Sequence, residues 1–261
     1  MVFQSDLLKG RAALITGGGT GICRGIALAF AAHGGDVAIM SRKAEHLEPT
    51  TREIRANGVR ALAVAGDVRD AASVDAVVSA AATSFGRLDI VVNGAAGNFI
   101  CAAEQLSPNG FGTVVDIDLK GTFNVSRATL PHLKVHGGSL VNISATLQYL
   151  ATRGQVHASA AKAGVDALTR TLAAEWGGYG IRVNGIAPGP TDDTEGVRRL
   201  STSESRARML AQCPLGRLTA IEDIANAALF LVSDAAAFIT GATLVVDGGL
   251  WSNSDRLFQQ D

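Results

Sequence analysis

No apolar run in this chain approaches the ~20 residues that a bilayer-crossing helix needs, so no membrane span is expected. An excess of charge of one sign is missing as well. The formal net charge is −1, which offers no overall field to nucleic acid or to an anionic membrane. Cysteine is scarce: Cys23, Cys101 and Cys213 are far apart and odd in number. Such a set suits a reducing cytoplasm and inert core thiols rather than a disulfide framework. The opening "MVFQSDLLKGR" lacks the basic-then-apolar layout of a secretory signal, and the closing "RLFQQD" is not a Ser-Lys-Leu peroxisomal address. The expectation is a cytoplasmic protein without a metal, a nucleic-acid partner or a membrane partner. Linkers and breaks in composition are also absent, so residues 1–261 read as one domain.

What is present is core material. Hydrophobic residues make up 47% of the chain and charged residues 18%, a balance that argues against disorder. Seven short aliphatic runs, at 12–16, 36–41, 61–67, 88–94, 139–144, 181–189 and 242–249, alternate with Ala-rich segments of helical period such as "GIALAFAAHG" and "VDAVVSAAATSFG". Most of the runs are continuously apolar, as parallel strands covered on both faces are. This alternation predicts a doubly wound α/β Rossmann fold with a seven-stranded parallel sheet flanked by helices on both faces. The least regular stretch, 188–214, follows a strand and carries several charges. An insertion there reads as a lid over a ligand.

The first strand runs into "TGGGTGICRGIALAF". Gly17, Gly18, Gly19 and Gly21 allow a tight turn, and the next helix points its N-terminus at that turn. Free N–H groups and the helix dipole favour a phosphate there, the dipole by roughly 0.3–1 kcal/mol at an exposed site. The second strand ends in "SRKAEH", with no acid to grip an unphosphorylated ribose. Arg42 suits a 2′-phosphate instead, so the predicted cofactor is NADP, supplied as NADPH. For Asp67, at the tip of the third strand, two roles stand open: accepting from the adenine amine, or capping a helix that begins near Ala71.

On helix 155–177, "QVHASAAKAGVDALTRTLAAEWG", Ala161, Val165, Leu168, Leu172 and Trp176 recur on one face, and Lys162 lies in the first turns. Together "TGGGTGI", "GDV", "VVNGAAG", "VNIS", this lysine, "IRVNGIAPGP" and "VVDGG" resemble, in order, the short-chain dehydrogenase/reductase family over nearly the whole chain. The resemblance implies a cofactor pocket that takes in Thr20, Ile22 and Val68 beside the glycines. It also implies a fourth-strand wall of Asn93, Ala95 and Gly97, and a segment from Pro188 through Gly189 and Thr191 to Thr194 beside the nicotinamide. Cys23 departs from the pattern, standing where the glycine motif ends in a third glycine.

The family's catalytic Asn, Ser, Tyr and Lys are met here by Asp118, Ala145, Ala158 and Lys162. Losing a positioned proton donor costs ~10²–10⁴ in rate, so a poor ketone reductase is expected. "NGAAGNFICAAEQLSPNGF", "DIDLKGTF", "QVHASAAKAGVDALTR" and "APGPTDDTEGVRRL" are similar to the 2,4-dienoyl-CoA reductases, above all the peroxisomal type, which also lacks the tyrosine. That likeness implies NADPH-dependent reduction of a dienoyl thioester in unsaturated fatty-acid breakdown. It casts Lys162 as the cation that also holds the nicotinamide ribose hydroxyls, Asp118 and Asp247 as holders of a proton-delivering water, and Arg42, Arg69, Phe99, Ser107, Asn109 and Arg199 as contacts of an acyl-CoA. A helix-kink role for Asp118 and a turn-forming role for Asp247 are the competing expectations. His157 reads as a wall or surface residue, turned away from the Ala158 face. The family likeness further implies self-association to a dimer or tetramer through helices 111–133 and 155–176. Reduction of another substrate and a non-catalytic NADP-binding scaffold are the alternatives.

Overall fold

The structure is a computed structural model, and it describes residues 2–253; the terminal "RLFQQD" lies outside the described residues. Seven strands form one parallel sheet: β1 (Ala12–Thr16), β2 (Asp36–Ser41), β3 (Ala61–Ala65), β4 (Ile90–Asn93), β5 (Gly138–Ile143), β6 (Ile181–Pro188) and β7 (Thr243–Val246). Their order is β3-β2-β1-β4-β5-β6-β7, the doubly wound arrangement expected. The chain reverses direction across the sheet between β1 and β4. Loops that leave the two strands there diverge and open a crevice at their carboxyl ends.

Helices cover both faces. They are α1 (Gly21–Ala32), α2 (Leu47–Arg55), α3 (Ala71–Phe85), α4 (Pro108–Val115), α5 (Gly121–Leu133), α6 (Val156–Trp176), α7 (Glu195–Leu200), α8 (Ser203–Gln212) and α9 (Ile221–Val232). Side chains alternate along each strand, so Ala13 and Ile15 face one core while Ala12 and Leu14 face the other. On the first side Ile26 and Phe30 of α1 meet Ile224 and Leu229 of α9. On the second, Val74 and Val77 of α3 join Leu172 and Trp176 of α6. Each fully buried aliphatic or phenylalanine side chain among them contributes about 1.5–3 kcal/mol. A third, smaller cluster of Val114, Ala158 and Ala161 sits apart from the sheet, between α4 and α6.

Three expectations are corrected. The stretch 188–214 is partly helical, holding α7 and α8, whose starts are capped by the Thr194 and Thr202 hydroxyls. Asp67 does not cap the helix that begins at Ala71; Asp70 does, accepting from the Ala72 N–H at 3.0 Å. Cys101 is no core thiol, being partly exposed while Cys23 and Cys213 are buried.

Candidate active site

Lys162 lies on α6 in the helix's second turn, at the carboxyl end of β5. Its ammonium group donates to the Ile143 carbonyl at 2.9 Å and stands 3.1 Å from Asp118 Oδ2. Both partners are buried, with side-chain exposures of 9% and 2%. Asp118 sits in a π-helical turn, Asp116–Lys120, inserted between α4 and α5. Such insertions recur at functional sites because one extra residue re-aims a side chain. The helix-kink reading is therefore half of the account. The backbone does depart from an α-helix there, and the Thr122 hydroxyl donates to the Asp118 carbonyl at 2.6 Å. The carboxylate itself is committed elsewhere: Oδ2 to Lys162, and Oδ1 to the Gly97 N–H at 2.7 Å.

Neither hydroxyl of the ordinary catalytic set has a substitute at its own position. Ala158, one turn before Lys162, is 2% exposed, and Phe99, Leu119 and Leu147 pack around its cluster. Ala145 follows β5 in extended conformation. The site thus pairs a buried cation and a buried carboxylate beside an apolar wall. His157 is a wall residue: it is fully buried and stacks on Phe99 with ring centroids 4.3 Å apart. Both of its ring nitrogens lack a hydrogen-bond partner among the described residues.

A second polar cluster behind the lysine escaped the sequence reading. Buried Asp166 accepts from the Tyr149 hydroxyl at 3.0 Å and from the Gln148 amide, and Gln148 in turn accepts from Ser144 at 3.2 Å. The Ser144 hydroxyl also donates to the Lys162 carbonyl at 3.5 Å. Burial, with the Asp166 carboxylate beside it, raises the Tyr149 pKa. Trp251 stacks on Tyr149 at 5.0 Å. The available signal was spacing: Asp166 follows Lys162 by four residues, one helical turn along the same face.

Asp247 is 5% exposed and caps its own turn. Its Oδ1 accepts from the Gly249 N–H at 2.9 Å and its Oδ2 from the Trp251 N–H at 2.8 Å. Among the described residues no hydrogen bond or ion pair joins it to Lys162 or Asp118.

The glycine-rich turn fits a dinucleotide phosphate. Gly17 has φ +71°, and a Cβ there would stand 2.9 Å from the Gly94 carbonyl oxygen, so the turn can close on β4 only with glycine. Gly19 and Gly21 complete it, and Thr20, the N-cap of α1, offers no side-chain acceptor to the first-turn N–H groups. No acid occupies that first turn. These donors are therefore uncommitted among the described residues and point at the crevice. Ile22 packs against the first core cluster. Cys23 presses its sulfur toward Gly94, and burial pushes its thiol pKa up to about 12. The extra volume serves helix-to-strand packing and leaves the phosphate turn open.

Along the crevice, the Thr16 hydroxyl accepts the Gly94 and Ala95 N–H groups at 3.0 and 3.2 Å, which fixes the wall after β4. Asn93 turns inward and donates to Ser126 and Asn142 at 3.1 and 2.9 Å. Pro188 ends β6, Gly189 rests on Asp247, and Thr191 is buried with its hydroxyl on the Gly189 carbonyl at 3.0 Å.

At the far end Arg42 is exposed, with no ion-pair partner among the described residues. Asp67 and Arg69, expected to serve different ligands, pair with each other: Arg69 Nε lies 3.0 Å from both carboxylate oxygens and Nη2 2.5 Å from Oδ2. The Arg69 guanidinium holds the Asp67 pKa below the usual carboxylate range, with a smaller push from Arg42. Val68 between them is buried, and its carbonyl accepts from Asn124 at 2.9 Å. Ser107 is spent as the N-cap of α4, accepting from the Gly110 N–H at 3.0 Å. Asn109 is exposed in that helix's first turn. Arg199 lies on the outer face of α7, 3.2 Å from Glu195. The structure thus gathers Lys162, Asp118, Gly97, Phe99 and His157 into one site, and leaves Asp67, Arg69 and Arg42 at the other end of the crevice.

A family model described as enoyl-(acyl carrier protein) reductase matches residues 17–251. A peroxisomal 2,4-dienoyl-CoA reductase, (3E)-enoyl-CoA-producing, of Arabidopsis thaliana is 48% identical, over 97% of this chain and 89% of that protein. Its namesake from Danio rerio is 46% identical, over 97% and 85%. A probable 2,4-dienoyl-CoA reductase, (2E)-enoyl-CoA-producing, of Bacillus subtilis is 44% identical, over 94% and 98%. Among solved structures, a putative short-chain alcohol dehydrogenase from Sinorhizobium meliloti superposes with a TM-score of 0.90 at 36% identity, over 95% of this chain and 99% of the other.

Proposed function

The chain belongs to the short-chain dehydrogenase/reductase family, and from that premise we propose that it reduces 2,4-dienoyl-CoA thioesters to enoyl-CoA with NADPH. It is an oxidoreductase with a nicotinamide cofactor, as its relatives imply. One observation carries the substrate assignment. The buried Lys162–Asp118 pair stands where Ala158 and Ala145 have removed both hydroxyls that a carbonyl reductase needs.

The chemistry suits that set. The glycine-rich turn from Gly17 to Gly21 would hold the cofactor's phosphates, and the bound nicotinamide would supply hydride for the far end of the conjugated diene. Negative charge then spreads into the thioester, and protonation falls on carbon, away from any ketone-type oxygen. No acid is needed at the Ala158 position. A positive field and a held proton are, and charge fixed in a dry site acts strongly because it need not reorganise. Lys162 supplies the field from a buried position. Asp118, gripped by Lys162 and by the Gly97 N–H, holds the water that delivers the proton. The apolar side chains around Ala158 exclude bulk water from the growing charge.

Following NADPH oxidation tests this directly. Turnover is expected with 2,4-dienoyl-CoA and not with a panel of ketones; ketone turnover would make the protein a reductase of another substrate, and binding without turnover a scaffold.

Preference for NADPH rests on Arg42, exposed at the end of β2 where an acid would otherwise hold the ribose. A charge-assisted contact to the 2′-phosphate is worth about 1.5–3 kcal/mol. Arg42→Ala should therefore raise the KM for NADPH roughly 10- to 100-fold and leave that for NADH unchanged. Equal losses with both cofactors in steady-state assays would remove Arg42 from cofactor choice. Self-association belongs to the same proposal, supported by apolar surface that Phe111 and Phe123 present on the α4–α5 side at 38% and 45% exposure. So does a cytoplasmic location, supported by three unpaired cysteines.

A further inference from the structure

The segment 94–107 between β4 and α4 contains no helix or strand, yet it presents the N–H that grips the carboxylate of Asp118. Gly97 donates to Asp118 Oδ1 at 2.7 Å. With alanine at position 158 in place of a tyrosine, the aim of that carboxylate matters more than it would in an ordinary member of the family. The loop therefore needs support from outside itself.

The Thr16 hydroxyl holds its first residues, Gly94 and Ala95; beyond Gly97, three contacts from the entrance to α6 hold it. Asn98 Nδ2 donates to Gln155 Oε1 at 3.2 Å, the Cys101 N–H donates to the Gly154 carbonyl at 2.9 Å, and between them the Phe99 ring lies on the His157 ring. The stack is the buried member of this set: His157 has no exposed surface. Phe99 also closes on Gly110 at the start of α4, where a Cβ would meet its ring edge at 3.4 Å. Phe99 is thus wedged between two helix starts, and His157 forms one side of the wedge.

We infer that His157 is a positioning residue, which through its stack on Phe99 clamps residues 97–101 and so keeps the Gly97 N–H on Asp118. The inference rests on the role given above to Asp118. Since neither ring nitrogen has a partner among the described residues, the flat face of the ring is the part that acts. A phenyl ring can replace it and a methyl group cannot. Displacement of a reacting group by about 1 Å can cost on the order of 100-fold, so loss of the clamp should be visible in turnover.

The test compares His157→Ala, His157→Phe and Phe99→Leu in the full chain, by steady-state kinetics and by amide hydrogen exchange at 97–101. His157→Ala should speed exchange there and lower kcat roughly 10- to 100-fold, with the KM for NADPH unchanged, while His157→Phe restores both. Should His157→Ala fail to fold, Phe99→Leu removes the stack from the exposed side, and exchange in the loop must still quicken. Unaltered exchange at 97–101 in the folded variants would overturn the inference, as would a His157→Phe enzyme as slow as His157→Ala. If the unaltered protein turned over no dienoyl-CoA but exchange responded as described, the clamp would stand and the substrate assignment would fall.

Discussion

Lys162→Ala is expected to lose roughly 10²–10³ in kcat, the usual cost of removing one preorganised charge donor from an active site, and to lose stability with it. The second effect follows from burial. Asp118 is 1% exposed, and its carboxylate would remain in the interior without the cation 3.1 Å away. Breaking a buried pair from one side costs about 3–5 kcal/mol, most of it the penalty for the charge left behind. Turnover alone would thus confuse a catalytic role with a loosened fold. The double variant Lys162→Met/Asp118→Leu resolves this, because replacing both charges by apolar groups is often neutral for stability. Denaturant unfolding should show the double variant more stable than Lys162→Ala, and NADPH oxidation should show it as inactive. A folded Lys162→Ala enzyme with unchanged turnover would take the lysine out of the reaction.

How much of this was legible in the sequence differs between elements for physical reasons. Strand starts and the long helix α6 were legible, because continuous β-branched runs and a sustained apolar face are local patterns that the core then rewards. Strand ends were read too long at Asp67, Gly94, Gly189 and Gly249. The apolar run has already given way there to glycine and aspartate, where the backbone leaves the sheet to form the crevice, and Gly248 and Gly249 adopt φ of 66° and 85° as it does so. The start of α4 was read three residues late, although Ser107 followed by Pro108 is a capping signature.

The π-helical turn at Asp116–Lys120 had no local signal at all. Nothing in "VVDIDLKGTF" separates it from ordinary helix, since the contacts that reward the extra residue come from Lys162 and Gly97, distant in sequence. The two helices α7 and α8 bury no residue, so no apolar stripe announced them. For Asp67 the difficulty was choice among neighbours. Asp70 stood nearer the helix start and made the cap, and Arg69 offered directed N–H groups, so Asp67 formed an ion pair where a cap or a contact to the adenine amine had been expected. The Lys162–Asp118 pair was reachable only through the family likeness, as 44 positions of sequence separate its members.

The two aspartates named as water holders are expected to part company under mutation. Asp118→Asn keeps an oxygen for the Gly97 N–H but turns an amide toward the Lys162 ammonium, so both the pairing and the anionic acceptor are lost. If this carboxylate holds the proton source, kcat should fall by about 10²–10⁴, with the KM for NADPH nearly unchanged. Asp247→Asn is different in kind. Its carboxylate accepts two backbone N–H groups of its own turn, from Gly249 and Trp251. The amide oxygen of asparagine can accept only part of that load, and hydrogen bonds to a charged group contribute about 1.5–3 kcal/mol. The expected result is a lower midpoint of unfolding with turnover reduced less than roughly 10-fold, well short of the loss of an essential proton donor. Trp251 stacks on Tyr149, whose hydroxyl reaches Asp166 one helical turn from Lys162, so whatever turnover is lost would travel by that route as a small displacement. Paired kinetic and denaturation curves for the two variants decide the matter. A well-folded Asp247→Asn enzyme as slow as Asp118→Asn would place both carboxylates on the water and overturn the division argued from their hydrogen bonds.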